Sequence, residues 1–370
     1  MSLSRRYVRP FVTVLVLSIL LAACAERRAA LPERSPAQDR ARIGRSLPPK
    51  VADREGWTDD IYSAFEQLGI EPTAQNSCAV IAVIAQESSF QVNPVIPNLG
   101  KLAWHEIDRR AARAYIPQSV IHGVLGWKSP DGRAWSERID AARTEKDLSD
   151  IYEDFIASVP LGKTLFENRN PIRTRGPMQV NVVFAEQFAA SHKYPYPLSG
   201  TIADELFTRR GSIYFGVAHL LGYRAPYDSY LYRFADFNAG QFSSRNAAFQ
   251  EAVMATSHRQ LVPDGALLPH EEGSSAGDTE LATRVLSARL ALSEGEIHSA
   301  LTKDRTEEFE GTALYRRTFS LAEQAQGHAL PRAVLPSIEL QGPKLSRQLT
   351  TAWYAHRVDD RFERCLDASR

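Results

Sequence analysis

The chain has 370 residues and carries 44 basic against 44 acidic side chains, so its formal net charge is zero. That balance offers no field for nucleic acid phosphates and sets that class of partner aside. An apolar content of 44% over this length supports one large domain or two closely packed ones.

At the start of the chain, Arg5 and Arg6 precede an apolar run from Phe11 to Leu21, which is too short to span a bilayer comfortably as a mature helix. Leu21-Ala22-Ala23-Cys24 then reads as a lipobox-like cleavage site. The expectation is a signal peptide over residues 1–23 and a mature chain that begins at an acylated Cys24. Several acyl chains, at about 0.8 kcal/mol per buried methylene, would anchor it firmly. Ala25 is not the aspartate that commonly retains such lipoproteins in the inner membrane. The address expected is the outer membrane, facing the periplasm; the alternative is cleavage elsewhere and a soluble product. Residues 24–50, rich in Arg, Ala and Pro, read as a flexible tether.

Helical patterns follow. Trp57, Ile61, Phe65 and Leu68 recur at helical spacing behind Thr58 as cap, and a second helix runs from about Thr73 to Glu87. This second helix is apolar on nearly every face, which predicts the centre of a core. Further helices are expected near 101–114, 134–158, 181–191, 201–222, 225–237, 244–258, 279–291, 311–326 and 344–366, with one short strand near Ser337–Leu340. Pro263–Thr279 reads as a loop. Cys78 and Cys365 remain once Cys24 is acylated; they form a bridge in an oxidising compartment or stay as two buried thiols.

Three strings carry chemistry. Gln86-Glu87-Ser88-Ser89-Phe90 ends the apolar helix, Arg175-Gly176-Pro177-Met178-Gln179-Val180-Asn181 follows, and Asp236-Phe237-Asn238-Ala239-Gly240 comes last. Burial and the negative end of a helix both favour a protonated Glu87, as a general acid requires. Asn181 reads as a helix cap. His105-Glu106 lacks the second histidine of a zinc helix, and His270-Glu271-Glu272 has no partners, so no metal and no cofactor are expected. The Arg109-Arg110 and Arg209-Arg210 pairs read as solvated helix faces.

In this order the strings resemble the E-S-x-F, G-L-M-Q and A-Y-N-A-G motifs of lytic transglycosylases and goose-type lysozymes, with Gly211–Leu221 similar to an intervening helix of that family. The resemblance implies a mainly α, lysozyme-like helical domain over 51–260, a helical insertion at about 91–170 and a helical C-terminal extension over 261–370. It also implies Glu87 as the single catalytic acid, with Ser88, Met178, Gln179, Phe237 and Asn238 on the glycan side and Gly176 letting the backbone pass close to substrate. Phe237 stands where the family generally has Tyr, and Glu87 lies 92 positions before Gln179, farther than usual. The insertion holds Trp104, Trp127 and Trp135, which either pack in a helical core or form a sugar platform over the cleft.

Over almost its whole length the chain also resembles a family of Gram-negative lipoproteins with a domain of unknown function. Leu330–Pro336 and Leu349–Trp353 join the three strings in carrying that likeness, and no chemistry is read from them. The expected partners are peptidoglycan glycan strands, and the membrane through the N-terminal lipid. The activity expected is lytic transglycosylation; the alternatives are a catalytically silent peptidoglycan-binding scaffold and a purely structural envelope protein.

Overall fold

The computed structural model describes residues 35–166, 169–269, 275–340 and 348–369. The expected signal peptide and Cys24 lie outside them. From residue 40 onward the described residues form one compact, predominantly helical unit. Its principal core is built around the helix Ala74–Glu87, in which every residue from Ser77 to Ile84 is buried. No face of that segment is polar enough to meet water, so helices surround it. The C-terminal helix Thr351–Ser369 packs along it and also against Tyr230–Ala239, while Arg209–Leu221 packs on Arg54–Leu68. Cys78 and Cys365 are joined in a disulfide with their Cα atoms 5.5 Å apart, which fastens the central helix to the C-terminal one.

Several boundaries differ from the sequence reading for local reasons. The first of these helices starts at Arg54, one turn before Thr58, because the Asp53 carboxylate accepts from the Gly56 backbone N–H at 3.3 Å. The span 134–158 breaks into Trp135–Ala141 and Glu145–Ser158, and Thr144 and Asp147 form a capping box that restarts the second. In the same way Thr208 caps Arg209–Leu221. Part of the expected tether is helical, Pro36–Ser46, and Ile43 and Leu47 are buried in the principal core. Those two side chains lie four apart, one apolar edge on an otherwise polar segment.

A second core gathers Phe249, Phe309, Tyr315 and Phe319 with the helices between 278 and 326. The expected division at residue 260 is crossed twice. Helix Ser243–Ser257 contributes to this second core, and Thr351–Ser369 returns to the principal one. The segment expected to be an insertion has a small core of its own, Leu125, Trp135, Ile139 and Ile151. Ser337–Leu340 contains the strand Glu339–Leu340, which pairs antiparallel with Leu349–Thr350.

Candidate functional site

Glu87 is the last residue of the central helix. Thr73 caps the other end by accepting from the Asn76 N–H at 3.0 Å. Beyond Glu87 the helix is stopped sharply, since Ser89 and Phe90 both take left-handed conformations, with φ of 50° and 63°. Two successive non-glycine residues in that region store strain of the kind concentrated at functional sites. The turn is held by Phe90, whose ring meets Trp57 edge-on at 5.2 Å. Ser88 is buried, and its hydroxyl donates back to the Ile84 carbonyl at 3.1 Å. It therefore braces the helix end and does not line the cleft.

The Glu87 carboxylate opens onto a cavity of about 1090 Å³ that Gln179, Phe237, Asn238 and Tyr354 also line. The Tyr354 hydroxyl donates to Glu87 Oε1 at 2.5 Å. Burial, and then the neighbouring Glu87 carboxylate, push the Tyr354 hydroxyl well above the ordinary phenol range, so it keeps its proton and acts as the donor. The hydroxyl bonded to the glutamate thus belongs to a side chain 267 positions away. One turn earlier on the C-terminal helix, Thr351 Oγ1 donates to Asn238 Oδ1 at 2.8 Å. The segment Leu349–Trp353, from which no chemistry was read, leads into the helix that supplies both contacts.

Phe237 itself forms wall. Its ring lies 5.1 Å from His219, which in turn meets Phe184 at 4.4 Å. His219 Nε2 contacts the Phe237 carbonyl at 3.2 Å, which requires a proton on that nitrogen. Burial pulls the imidazole pKa down to about 4, so it is neutral near pH 7. Its Nδ1 is buried and has no hydrogen-bond partner among the described residues.

The neighbouring Asp236 is wholly buried and points the other way, into the protein. It accepts from the hydroxyls of Tyr223 and Tyr227 at 3.0 and 2.7 Å and from the backbone N–H groups of Phe242 and Ser244 at 2.9 and 2.6 Å. Desolvation raises its pKa against those four donors. This network fixes the chain reversal at Gly240, whose φ of 115° suits glycine, and so fixes where Phe237 and Asn238 face.

On the opposite side, Thr174–Arg175 pairs antiparallel with Val180–Asn181, making a small hairpin. Gln179, at its tip with φ of 50°, accepts from Thr174 Oγ1 at 2.9 Å and donates to Glu145 at 3.1 Å. Asn181 Oδ1 caps the following helix through the N–H groups of Val183 and Phe184. Met178 lies fully buried behind this wall, not on the floor of the cleft. A Cβ at Gly216 would come within 2.3 Å of the Met178 sulfur, so a bare glycine receives that side chain. Gly176 serves the fold as well: a Cβ there would lie 2.0 Å from the Leu206 carbonyl oxygen.

At its far end the cavity is bordered by Asn246, Asp264, Asp304, Arg305 and Glu339. None of the described residues of the insertion lines it. Trp135 is buried in the insertion's own core, Trp104 donates from Nε1 to Asp140 Oδ1 at 2.7 Å, and Trp127 is exposed. Of the two alternatives for these rings, Trp135 follows core packing, and none of the three lines this cleft. Among the described residues no group of three or more His, Cys, Asp or Glu side chains is arranged to hold a metal ion.

Sequence reasoning did not single out Tyr354, Thr351, His219 or Asp236. Asp236 and His219 were present in the quoted strings, but as bystanders.

Against known proteins, residues 50–368 match the model of the family described as "Protein of unknown function (DUF1615)". The chain is similar to uncharacterized protein YaiW of Escherichia coli (strain K12), with 47% identity over 362 residues, 97% of this chain and 99% of that one. No solved structure matches.

Proposed function

The chain belongs to the DUF1615 family, and with that as premise we propose that it is an outer-membrane lipoprotein, anchored through Cys24, that cleaves peptidoglycan glycan strands by lytic transglycosylation. Glu87 is the acid. Carrying a proton on Oε2 while Oε1 accepts from Tyr354, it protonates the glycosidic oxygen as the bond to C1 breaks. The ionised carboxylate then takes the proton of the sugar's own C6 hydroxyl as that oxygen bonds to C1. An anhydro ring closes, and Glu87 is protonated again. Tyr354 orients the carboxyl throughout, and Phe184, Phe237 and His219 offer apolar faces to sugar rings.

One observation carries the reading: Glu87, Gln179, Phe237 and Asn238, drawn from three separate strings, border one cavity in which a buried tyrosine hydroxyl is bonded to the glutamate. Its volume of about 1090 Å³ lies at the upper end for ligand sites and suits an extended oligosaccharide better than a single sugar. A second reading, a silent peptidoglycan-binding scaffold, is favoured by the engagement of Gln179 with Thr174 and Glu145 and of Asn238 with Thr351. Those amides hold the cavity's shape.

Mass spectrometry of muropeptides after incubation with purified sacculi separates the two. Anhydro products that disappear with Glu87→Gln support cleavage. Sacculus binding without products by wild type supports the scaffold, and release at wild-type rate by Glu87→Gln removes this residue as the acid.

A further inference from the structure

The insertion presents a surface that its own core leaves uncovered. After the helix Leu99–Arg113 the chain turns at Tyr115, which is 95% exposed, and Ile116, and then forms the helix Gln118–Leu125. That short helix has two apolar sides. Ile121 and Leu125, four apart, face the insertion core. Val120, on the helix, and Trp127, two residues beyond its end, are 54% and 69% exposed. An indole, a phenol and two branched aliphatic side chains therefore stand in water between Tyr115 and Trp127.

Between Asp108, whose carboxylate meets His122, and Asp131, which pairs with Arg133, the chain carries basic charges only. From Arg109 to Pro130 there is no acidic residue, while Arg109, Arg110, Arg113 and Lys128 fall within that stretch. Arg109 and Arg110 are bonded to Glu106 on the preceding turn. Arg113 and Lys128 are exposed and have no ion pair among the described residues. Apolar and aromatic tips flanked by cations are the pattern of a segment seated at the boundary of an anionic bilayer, with rings at headgroup depth and cations on the phosphates. A glycan platform would have no use for the cations, and a solvated face has no use for Tyr115, Val120 and Trp127. Among the described residues no helix is long and apolar enough to cross a membrane, so the contact is with the surface.

The geometry points to the Tyr115–Lys128 face as a docking surface for an anionic phospholipid leaflet, which orients the domain on the bilayer independently of any lipid at Cys24. No residue of this face lines the cavity, so the inference stands or falls apart from the proposed glycan chemistry.

The test uses the full chain reconstituted with vesicles whose phospholipids carry bromine in their acyl chains, made of phosphatidylcholine with or without phosphatidylglycerol. Quenching of tryptophan emission by the brominated lipid, appearing with phosphatidylglycerol and absent in Trp127→Phe, is the expected result. Neutralising Arg113 and Lys128 to Gln should lower the ratio of docked to undocked protein about thirtyfold, roughly fivefold for each cation. All three positions are exposed, and near-ultraviolet circular dichroism verifies the fold of each variant. Quenching indifferent to phosphatidylglycerol overturns the proposal. So does shielding of Trp127 from aqueous acrylamide without lipid, either as two copies associate in sedimentation or as sacculi are added; these outcomes would assign the face to self-association or to glycan.

Discussion

Removing the Tyr354 hydroxyl tests the central contact of the site without disturbing its packing. Tyr354→Phe deletes one oxygen from a side chain that is 5% exposed and leaves the ring against the central helix. A hydrogen bond contributes about 0.5–1.5 kcal/mol between neutral groups and about 1.5–3 kcal/mol to a charged one. Glu87 faces a cavity that holds water in solution, and a water can replace part of what is lost. The expected cost is therefore about 1.5 kcal/mol, or ~2 °C in Tm. Urea unfolding under non-reducing conditions of wild type, Tyr354→Phe, Glu87→Gln and the double variant yields the coupling, expected near 1 kcal/mol for a direct contact. The same series has a pH signature. In the unfolded chain this hydroxyl ionises near pH 10, whereas burial beside Glu87 holds it protonated in the folded state. Above that pH the unfolded state binds fewer protons than the native one, so this contribution to stability falls by up to about 1.4 kcal/mol per pH unit. The advantage of wild type over Tyr354→Phe should be full below pH ~10 and shrink above it. A coupling within about 0.3 kcal/mol of zero, with parallel alkaline curves, would refute the Tyr354–Glu87 contact.

His219, neutral in the fold with a pKa of about 4, binds its proton more readily when unfolded; wild type should lose about 3 kcal/mol as pH falls from 6.5 to 4, and His219→Gln should not, as acid titrations of stability will show. Asp236→Asn turns an amide N–H₂ towards converging donors and should cost about 3 kcal/mol or more in urea unfolding, since a buried group that satisfies two tyrosines and two backbone N–H groups has no solvent to fall back on. Replacing both Cys78 and Cys365 with Ala releases a crosslink between positions 287 apart, and the chain-entropy model gives a loss of about 6 kcal/mol, measured as the difference in unfolding free energy from the oxidised wild type.

Local patterns carried the helical class and the central helix into view, because Ala79–Ile84 admits no solvated face. The caps were partly legible. Ser293 and Glu296 form a capping box for Glu294–Leu301, a helix absent from the sequence reading although its signature is in the string. Trp127 and Trp135 are not told apart by composition: Trp127 falls just past the end of one helix and is exposed, while Trp135 opens the next and is buried in the small core. The partner of Glu87 was hidden for a different reason, because a contact across 267 positions leaves no local trace. It was nonetheless within reach of the cysteines. Glu87 stands nine residues after Cys78 and Tyr354 stands eleven before Cys365, about 13 Å and 16 Å along two helices. Two antiparallel helices bridged at the cysteines bring those side chains to nearly the same height. The bridge and two buried thiols were left as equal alternatives, and the step from the cysteines to the tyrosine was not taken.

The return of Thr351–Ser369 to the central helix also has a consequence in time. A ribosome releases Glu87 long before Tyr354, and for most of translation the glutamate helix exists without the helix that covers it. Its apolar segment, buried at every position from Ser77 to Ile84 in the finished protein, must meanwhile be shielded by other segments or by chaperones. Pairings at such separations form late and slowly. The site is therefore among the last features to be assembled, and a nascent or prematurely terminated chain lacks the hydroxyl beside its carboxylate. Ending synthesis just before Thr351 would remove about one-twentieth of the chain and, with it, Tyr354, the Thr351 brace on Asn238 and the anchor at Cys365.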